Sequence, residues 1–420
     1  MPVRPHAPTG PRAMPASPPS PPPPHVLVCG AGIIGTSTAF YLARAGVPRI
    51  TLVDSTGPAA AASGRAGGFL ARDWCGRGAW GDLAAAGFDL HAALAEEFGA
   101  DRIGYRRVTT FGAAFSTEGG GHPGAKGRAG AASPAWLPGA ARLASLGTPA
   151  TTAQVHPRLL TEALLAAAGP AVEVVIDEVT ALLRATGGGG GGGGGGLGAM
   201  LKAGGAVEAD AVVIALGPWT GSFMAGCGEA RVEVGGRRAH SIVLTPAPAR
   251  QPQAHTPPAA ALPGAECLFS QVSHELGLPD SAPEFYPRPD GTVYVCGAGD
   301  AAPLPASAAE VGWDDAAIQA LAADAAAVAP ALAGAACAPS ACYLPITPSG
   351  LPVIGELPGR PGVFVAAGHS CWGVLTGVVT GREVAGLGCG AARGGGLVGA
   401  FAPRSAPRYL RRGLLRRGGE

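Results

Sequence analysis

Apolar positions come in short unbroken blocks towards both ends of the chain and in alternation in its middle. Near the start, Val26-Leu27-Val28-Cys29 is a continuous apolar run, the pattern of a strand buried on both faces. An apolar-periodic segment then predicts a helix over Thr36–Ala45, ended by Gly46, and Arg49–Val53 predicts a second strand finishing at Asp54. Far downstream, the block pattern returns in Val172–Leu183, in the strand-like segment Ala206–Leu216 with its Val-rich part Ala211–Leu216, and in Gly362–Ala366. Between them, Glu284-Phe285-Tyr286-Pro287-Arg288, the turn Asp290-Gly291 and the alternating Thr292–Cys296 predict an antiparallel hairpin. Parallel-type elements flanking an antiparallel middle predict a nucleotide-binding domain interrupted by a second domain.

Length and composition sharpen this picture. A chain of 420 residues is long enough for two packed domains. With 47% hydrophobic but 5% aromatic residues, the core must be built largely of Ala, Val and Leu. The 69 glycines and 41 prolines approach low complexity, but many lie in identifiable tracts. Residues 1–25 are Pro-rich, contain Arg4 and Arg12 and no acid, and are expected to form a disordered tail. As an inert tail it leaves the protein in the cytoplasm; as a targeting segment it would send it to a plastid or mitochondrion. The unbroken run Gly187–Gly196 is expected to be a flexible loop inserted at a tolerant turn. Residues 406–420 form a basic, solvated tail with Arg411, Arg412, Arg416 and Arg417.

A net charge of +1 gives no global field for nucleic acid or an acidic membrane surface. Nine cysteines without a C-x-x-C pair or His/Cys clustering point to reduced thiols rather than a disulfide scaffold or a metal site. No apolar run reaches the roughly 18 residues of a membrane span. A small-molecule substrate is the expected partner, and oligomeric state is not readable.

The strongest local signal is Gly30-Ala31-Gly32-Ile33-Ile34-Gly35, a G-x-G-x-x-G motif between the first strand and its helix. Gly30 permits the turn, Gly32 lets the backbone approach a pyrophosphate, and Gly35 lets helix and strand pack closely. The helix N-terminus offers free N–H groups to phosphates. Asp54, followed by Ser55, lies where an acid accepts ribose hydroxyls and repels a 2′-phosphate.

The choice between FAD and NAD rests on later segments. Ser63-Gly64-Arg65-Ala66-Gly67-Gly68-Phe69-Leu70 resembles the flavin-contacting loop of the D-amino-acid-oxidase, glycine-oxidase and sarcosine-oxidase family. The strand through Ala215 that ends in Gly217-Pro218-Trp219 is similar to that family's G-x-W segment. Thr347-Pro348-Ser349-Gly350-Leu351-Pro352-Val353-Ile354-Gly355 resembles its T-P-D-G-x-P-x-I-G pattern, with Ser349 in place of Asp. Gly368-His369-Ser370-Cys371-Trp372-Gly373 with Gly377 matches its closing segment, and Gln154-Val155-His156-Pro157 adds a weaker match. The sequence is most similar to a eukaryotic branch without an assigned substrate, although Val378-Val379 departs from that branch's Gly-Pro-Ala type sequence.

The resemblance implies an α/β fold: a Rossmann-like FAD-binding domain, discontinuous in sequence, with a second domain on a mixed or antiparallel sheet. The first is expected from residues 26–80, 150–225 and 340–405, the second from 81–149 and 226–339. FAD is the implied cofactor, with Val179 among the residues that bind it and His369 and Gly373 at the flavin's pyrimidine end. The implied chemistry is oxidation of a C–N bond by hydride transfer to flavin N5, with oxygen as acceptor and hydrogen peroxide as product. Alternatives are an FAD dehydrogenase using another acceptor, and a low-turnover flavin-binding interaction protein in trafficking.

His369, Trp372 and Arg72 are the candidate catalytic residues, and Arg288 is a further candidate for gripping a carboxylate. Cys342 stands where sarcosine-oxidase relatives attach the flavin covalently, so it is a candidate link, with an inert buried thiol as the alternative. Cys371 is a weaker candidate. The resemblance fails at substrate recognition: Leu344 and Leu375 replace the arginine and lysine that such enzymes use there.

Overall fold

The computed structural model describes residues 23–116, 134, 136–137, 140, 142–183, 196–246, 264–274, 279–390 and 396–403. Residues 1–22, most of the Gly187–Gly196 run and the basic stretch 406–420 lie outside the described residues. The described helices are α1 (Ile33–Arg44), the single turn α2 (Ala62–Arg65), α3 (Ala79–Phe98), α4 (Pro157–Ala168), α5 (Thr220–Gly226), α6 (Asp315–Val328) and α7 (Gly373–Gly388).

Strand His25–Cys29 lies inside a six-stranded sheet, between Arg49–Asp54 and Ala211–Ile214 and parallel to both. Val172–Ile176 extends the sheet on one side; Val363–Ala367 and then the antiparallel Val353–Glu356 extend it on the other. Helices α1, α3, α4 and α7 close one face over a core that includes Val26, Val28, Ile50, Leu52, Phe40, Phe88, Leu160 and Leu375. This is the Rossmann-like domain, assembled from separate stretches of chain as expected.

The helix after the first strand begins at Ile33 rather than Thr36. Thr36, Ser37 and Thr38 look like start signals but are all buried inside the helix. The Thr36 hydroxyl donates to the Gly32 carbonyl at 2.9 Å and Thr38 to that of Ile34 at 2.8 Å, so they bond back along the turn instead of capping it.

Two expected single segments each divide between two sheets. Val172–Leu183 breaks at Asp177-Glu178, and Ala206–Leu216 breaks at Asp210. The Asp210 carboxylate accepts the His25 N–H at 2.9 Å, and the Asp210 N–H donates to the His25 carbonyl at 2.9 Å. Val179–Leu182, Leu197–Leu201 and Ala206–Ala209 then form a separate antiparallel sheet.

The second domain is built on a seven-stranded sheet in the order Ala336–Ile346, Gly235–Thr245, Val293–Asp300, Glu284–Pro287, Glu266–Ser273, Thr109–Ser116, Arg142–Gly147. The predicted hairpin sits at its centre. Strand Glu266–Ser273 pairs parallel with Thr109–Ser116, and the other neighbours are antiparallel, so the sheet is mixed. One face, with Ile242, Leu268, Phe285 and Val295, packs with Leu321, Ala325 and Val328 of α6. Period-two alternation turns the residues between them to the opposite face.

Two expected boundaries fall inside elements. Residue 340 lies within the strand Ala336–Ile346, whose whole length pairs with Gly235–Thr245 in the second sheet. The boundary at 81 lies within α3, whose apolar face (Leu83, Ala84, Phe88, Leu94) belongs to the nucleotide-domain core. A Cβ on Gly87 of α3 would stand 2.3 Å from the Leu375 carbonyl oxygen, which shows how closely α3 and α7 approach.

Candidate active site

One cavity of about 750 Å³ runs from the carboxyl ends of the parallel strands to the free face of the second sheet. Its size falls within the range of ligand and cofactor sites. At one end Gly30, Gly32, Ile33 and Ile34 line it beside Asp54, Ser55 and Val179. Gly30 has φ +105°, and a Cβ there would lie 2.3 Å from the Ala215 carbonyl oxygen. Gly35 does not line the cavity: a Cβ on it would stand 1.8 Å from the Gly30 carbonyl oxygen, so it serves close packing, as the motif requires.

Asp54 organises this end. Its Oδ2 accepts the Ala31 N–H at 2.8 Å, while its Oδ1 accepts the Thr56 and Gly57 N–H groups, both at 2.9 Å. Ala31 therefore acts through Asp54 and does not line the cavity itself. The Ile33 N–H, at the start of α1, donates to the Ser63 hydroxyl at 2.8 Å, which joins the segment Ser63–Leu70 to the helix N-terminus.

Ser63, Gly67 and Gly68 line the middle of the cavity, opposite Ala215, Gly217 and Trp219. Gly67 is required by close approach: a Cβ would stand 2.3 Å from the Tyr286 ring. Gly64 and Gly368 support from behind. A Cβ on Gly64 would meet the Ala59 carbonyl oxygen at 1.8 Å, and one on Gly368 the Thr347 side chain at 2.5 Å. Through that last contact the two C-terminal motifs meet.

His369, Trp372, Gly373 and Cys342 line the far end. His369 is fully buried; its Nε2 and the Thr380 hydroxyl are 3.0 Å apart, and its buried Nδ1 has no partner among the described residues. Burial lowers its pKa to about 3, so the ring is neutral. Helix α7 starts at Gly373 and directs its first N–H groups to this end, with the positive pole of its dipole. Cys342 is buried, and burial pushes its thiol up to about 11 against the opposing charge of Arg65.

Arg72 departs from its expected place. The strand Phe69–Ala71 carries the chain away from the cavity, and Arg72 forms an exposed ion pair with Asp89 at 2.9 Å. Arg288 also lies outside the lining, its guanidinium 5.3 Å above the Tyr294 ring. Leu344 faces the cavity and brings no charge, whereas Leu375 is buried in the nucleotide-domain core.

The part not foreseen is an aromatic chamber at the flavin end. Phe69, Trp74, Phe269, Tyr286 and Trp372 line it, with ring centroids 5.1 Å apart for Phe69 and Phe269 and 4.9 Å for Trp74 and Phe269. Glu284 enters from the floor, its carboxylate accepting the Tyr286 hydroxyl and the Cys296 thiol. The signal was present in the hairpin, where Glu284 and Tyr286 alternate with the buried Phe285.

These residues fit FAD. The glycines keep side chains out of a long narrow cleft, the N-termini of α1 and α7 line it side by side, and the buried His369 Nδ1 lacks a partner among the described residues. Gly30, Gly32 and α1 would hold the pyrophosphate, Asp54 the ribose, and His369 to Gly373 the pyrimidine end of the flavin.

Comparison with known proteins agrees with this geometry. The family model described as DAO, FAD dependent oxidoreductase, matches residues 25–387. A Schizosaccharomyces pombe protein named as an oxidoreductase is 28% identical over 402 residues, 86% of this chain and 93% of its own. Glycine oxidase from Geobacillus kaustophilus has a similar fold, with a TM-score of 0.68 at 21% identity over 91% of this chain and 98% of its own. Iminodiacetate oxidase from Chelativorans sp. BNC1 gives a TM-score of 0.65 at 19% identity over 90% of this chain and 98% of its own. With the family model spanning residues 25–387, most of the chain and both sheets, this chain belongs to the DAO family of FAD-dependent oxidoreductases.

Proposed function

We propose that this enzyme oxidises a C–N bond in a small amine or amino-acid-like substrate, with dioxygen as acceptor and hydrogen peroxide as product. The observation that carries this reading is the aromatic chamber, which opens onto the flavin end of the cavity beside His369 and Trp372. The bound flavin supplies the hydride acceptor, at N5. The chain supplies the rest: the rings of Phe69, Trp74 and Phe269 exclude water and orient the carbon beside the nitrogen. The neutral His369 and the first N–H groups of α7 face the end where reduction leaves negative charge, without a proton that must first be lost. The product imine would be hydrolysed by water. The two solved relatives are named as oxidases, one of glycine and one of iminodiacetate, and this supports the substrate class.

The test is anaerobic mixing of the FAD-loaded protein with primary amines, secondary amines and amino acids while the flavin absorption is followed. Bleaching by at least one of them is expected, followed by return of the colour in air with one peroxide formed per turnover. A flavin that bleaches but stays reduced in air assigns a different electron acceptor. Failure of every amine and amino acid to bleach it overturns the reading.

A further inference from the structure

The chamber has a marked charge arrangement. Phe269 pairs across the sheet with Glu284, and Glu284 with Cys296; in the next row Tyr286 pairs with Tyr294. All five side chains line the cavity. Glu284 thus stands within a wall of rings, with Tyr286 5.9 Å from Phe269 and Trp74 6.4 Å from Trp372. Its Oε2 takes both the Tyr286 hydroxyl and the Cys296 thiol, and no hydrogen bond among the described residues goes to Oε1. The other acids lining the cavity, Asp54, Asp177 and Glu178, belong to its nucleotide end.

No cation among the described residues forms an ion pair with Glu284. Among the described residues, the arginines lining the cavity are Arg237 and Arg238. Arg238 is held by Asp300, with Nε–O contacts of 3.0 Å and an Nη2–O contact of 2.7 Å. Arg237 is exposed and lies over Gly299, its Nε 3.6 Å from where a Cβ would stand. Gly299 is three residues beyond Cys296 along the strand, about 10 Å away by strand rise. Burial without a cationic partner raises the pKa of Glu284, and an ammonium group bound among the aromatic faces would restore its charge, whereas a carboxylate would oppose it.

We propose that the chamber is an ammonium subsite: Glu284 takes the charge of the substrate's protonated amine, and the aromatic faces take its substituents. The substrate class is then a lipophilic amine without a carboxylate beside the reacting carbon. This rests on the reading of the cavity as an amine-oxidising site, and narrows it.

The experiment is ligand binding to the FAD-loaded full chain, read as perturbation of the flavin absorption without turnover. Benzyltrimethylammonium is the probe, since it carries the charge and has no lone pair to be oxidised. Its neutral isostere neopentylbenzene and the anion benzoate are the comparators. The cation is expected to bind at least tenfold more tightly than either, and Glu284→Gln to remove that preference while the flavin content is kept. Benzoate binding more tightly than the cation, or an unchanged preference in Glu284→Gln, overturns the inference. If Glu284→Gln does not fold, the three-ligand comparison on the wild-type protein decides alone. Flavin bleaching by amino acids with no affinity for the ammonium probe would sink this inference and leave the amine-oxidising function standing. Probe binding without bleaching by any amine would sink the amine-oxidising function and the substrate class drawn from it, and leave the ammonium subsite as a binding site.

Discussion

Cys342 lies in the cavity wall, yet burial pushes its thiol up to about 11, so at neutral pH the sulfur keeps its proton. Attack on an electron-poor ring requires the thiolate. FAD is therefore expected to be released into the supernatant when the holoprotein is precipitated with acid; colour kept in the pellet would reverse this assignment. Two buried histidines carry a pH dependence. Burial lowers His91 to about 4 and His369 to about 3, against 6.5 in the unfolded chain. Between those values the unfolded state binds more protons, so stability is full above about pH 6.5 and is lost as pH falls. The loss should reach roughly 2–3 kcal/mol per histidine near pH 4.5. Urea unfolding at a series of pH values checks it, with His91→Phe expected to remove about a third of the slope that it shares with His369 and with His156, which burial also lowers to about 4. The glycines and Asp54 were legible at this scale because a phosphate grip constrains backbone and spacing together. Glu284 was not, because its meaning comes from Phe269 and Trp74, which are remote in sequence, and Arg72 misled because its true partner, Asp89, sits on α3.

Helices α1 and α7 show what an element needs from small residues. A Cβ on Gly377 would stand 2.9 Å from the Ile33 side chain, and one on Gly381 would stand 2.4 Å from the Ser37 side chain and 2.7 Å from the Thr38 nitrogen. These glycines lie four apart on one face of α7, so the two helices whose N-termini line the cavity touch almost backbone to backbone. Gly381→Leu is expected to cost about 3 kcal/mol by overpacking and to lower the FAD content of the purified protein. Chemical denaturation and the ratio of flavin to protein absorbance test both outcomes. The hairpin and the first strands could be read from pattern because each is locally complete. The start of α1 and the breaks at Asp177 and Asp210 could not, since buried hydroxyls and a cross-strand carboxylate decide them. Helix α3 is amphipathic by itself; that its apolar face serves the nucleotide domain is settled by contact with α7.

At the scale of the molecule, the cavity wall is shared by both sheets, so cofactor binding should hold the domains in register. Addition of saturating FAD to the apoprotein is expected to raise its melting temperature, by about 2.7 kcal/mol of stability at a hundredfold excess over Kd. Calorimetry with and without FAD measures this. The overall division was legible because parallel blocks and alternating segments separate along the chain, while two strands of the small antiparallel sheet were hidden inside the segments Val172–Leu183 and Ala206–Leu216. The strand order has a consequence for how the protein comes into being. Val28 finds its neighbour at Val213, and Val213 finds its own at Phe364, so the sheet under the cofactor stays open until nearly the whole chain has been made. Such long-range pairing delays folding and leaves apolar strands unpaired during synthesis. A premature stop anywhere before Gly388 would therefore cost the entire grip on FAD, including the part encoded in the first sixty residues, and an emerging chain should depend on chaperones until α7 has left the ribosome.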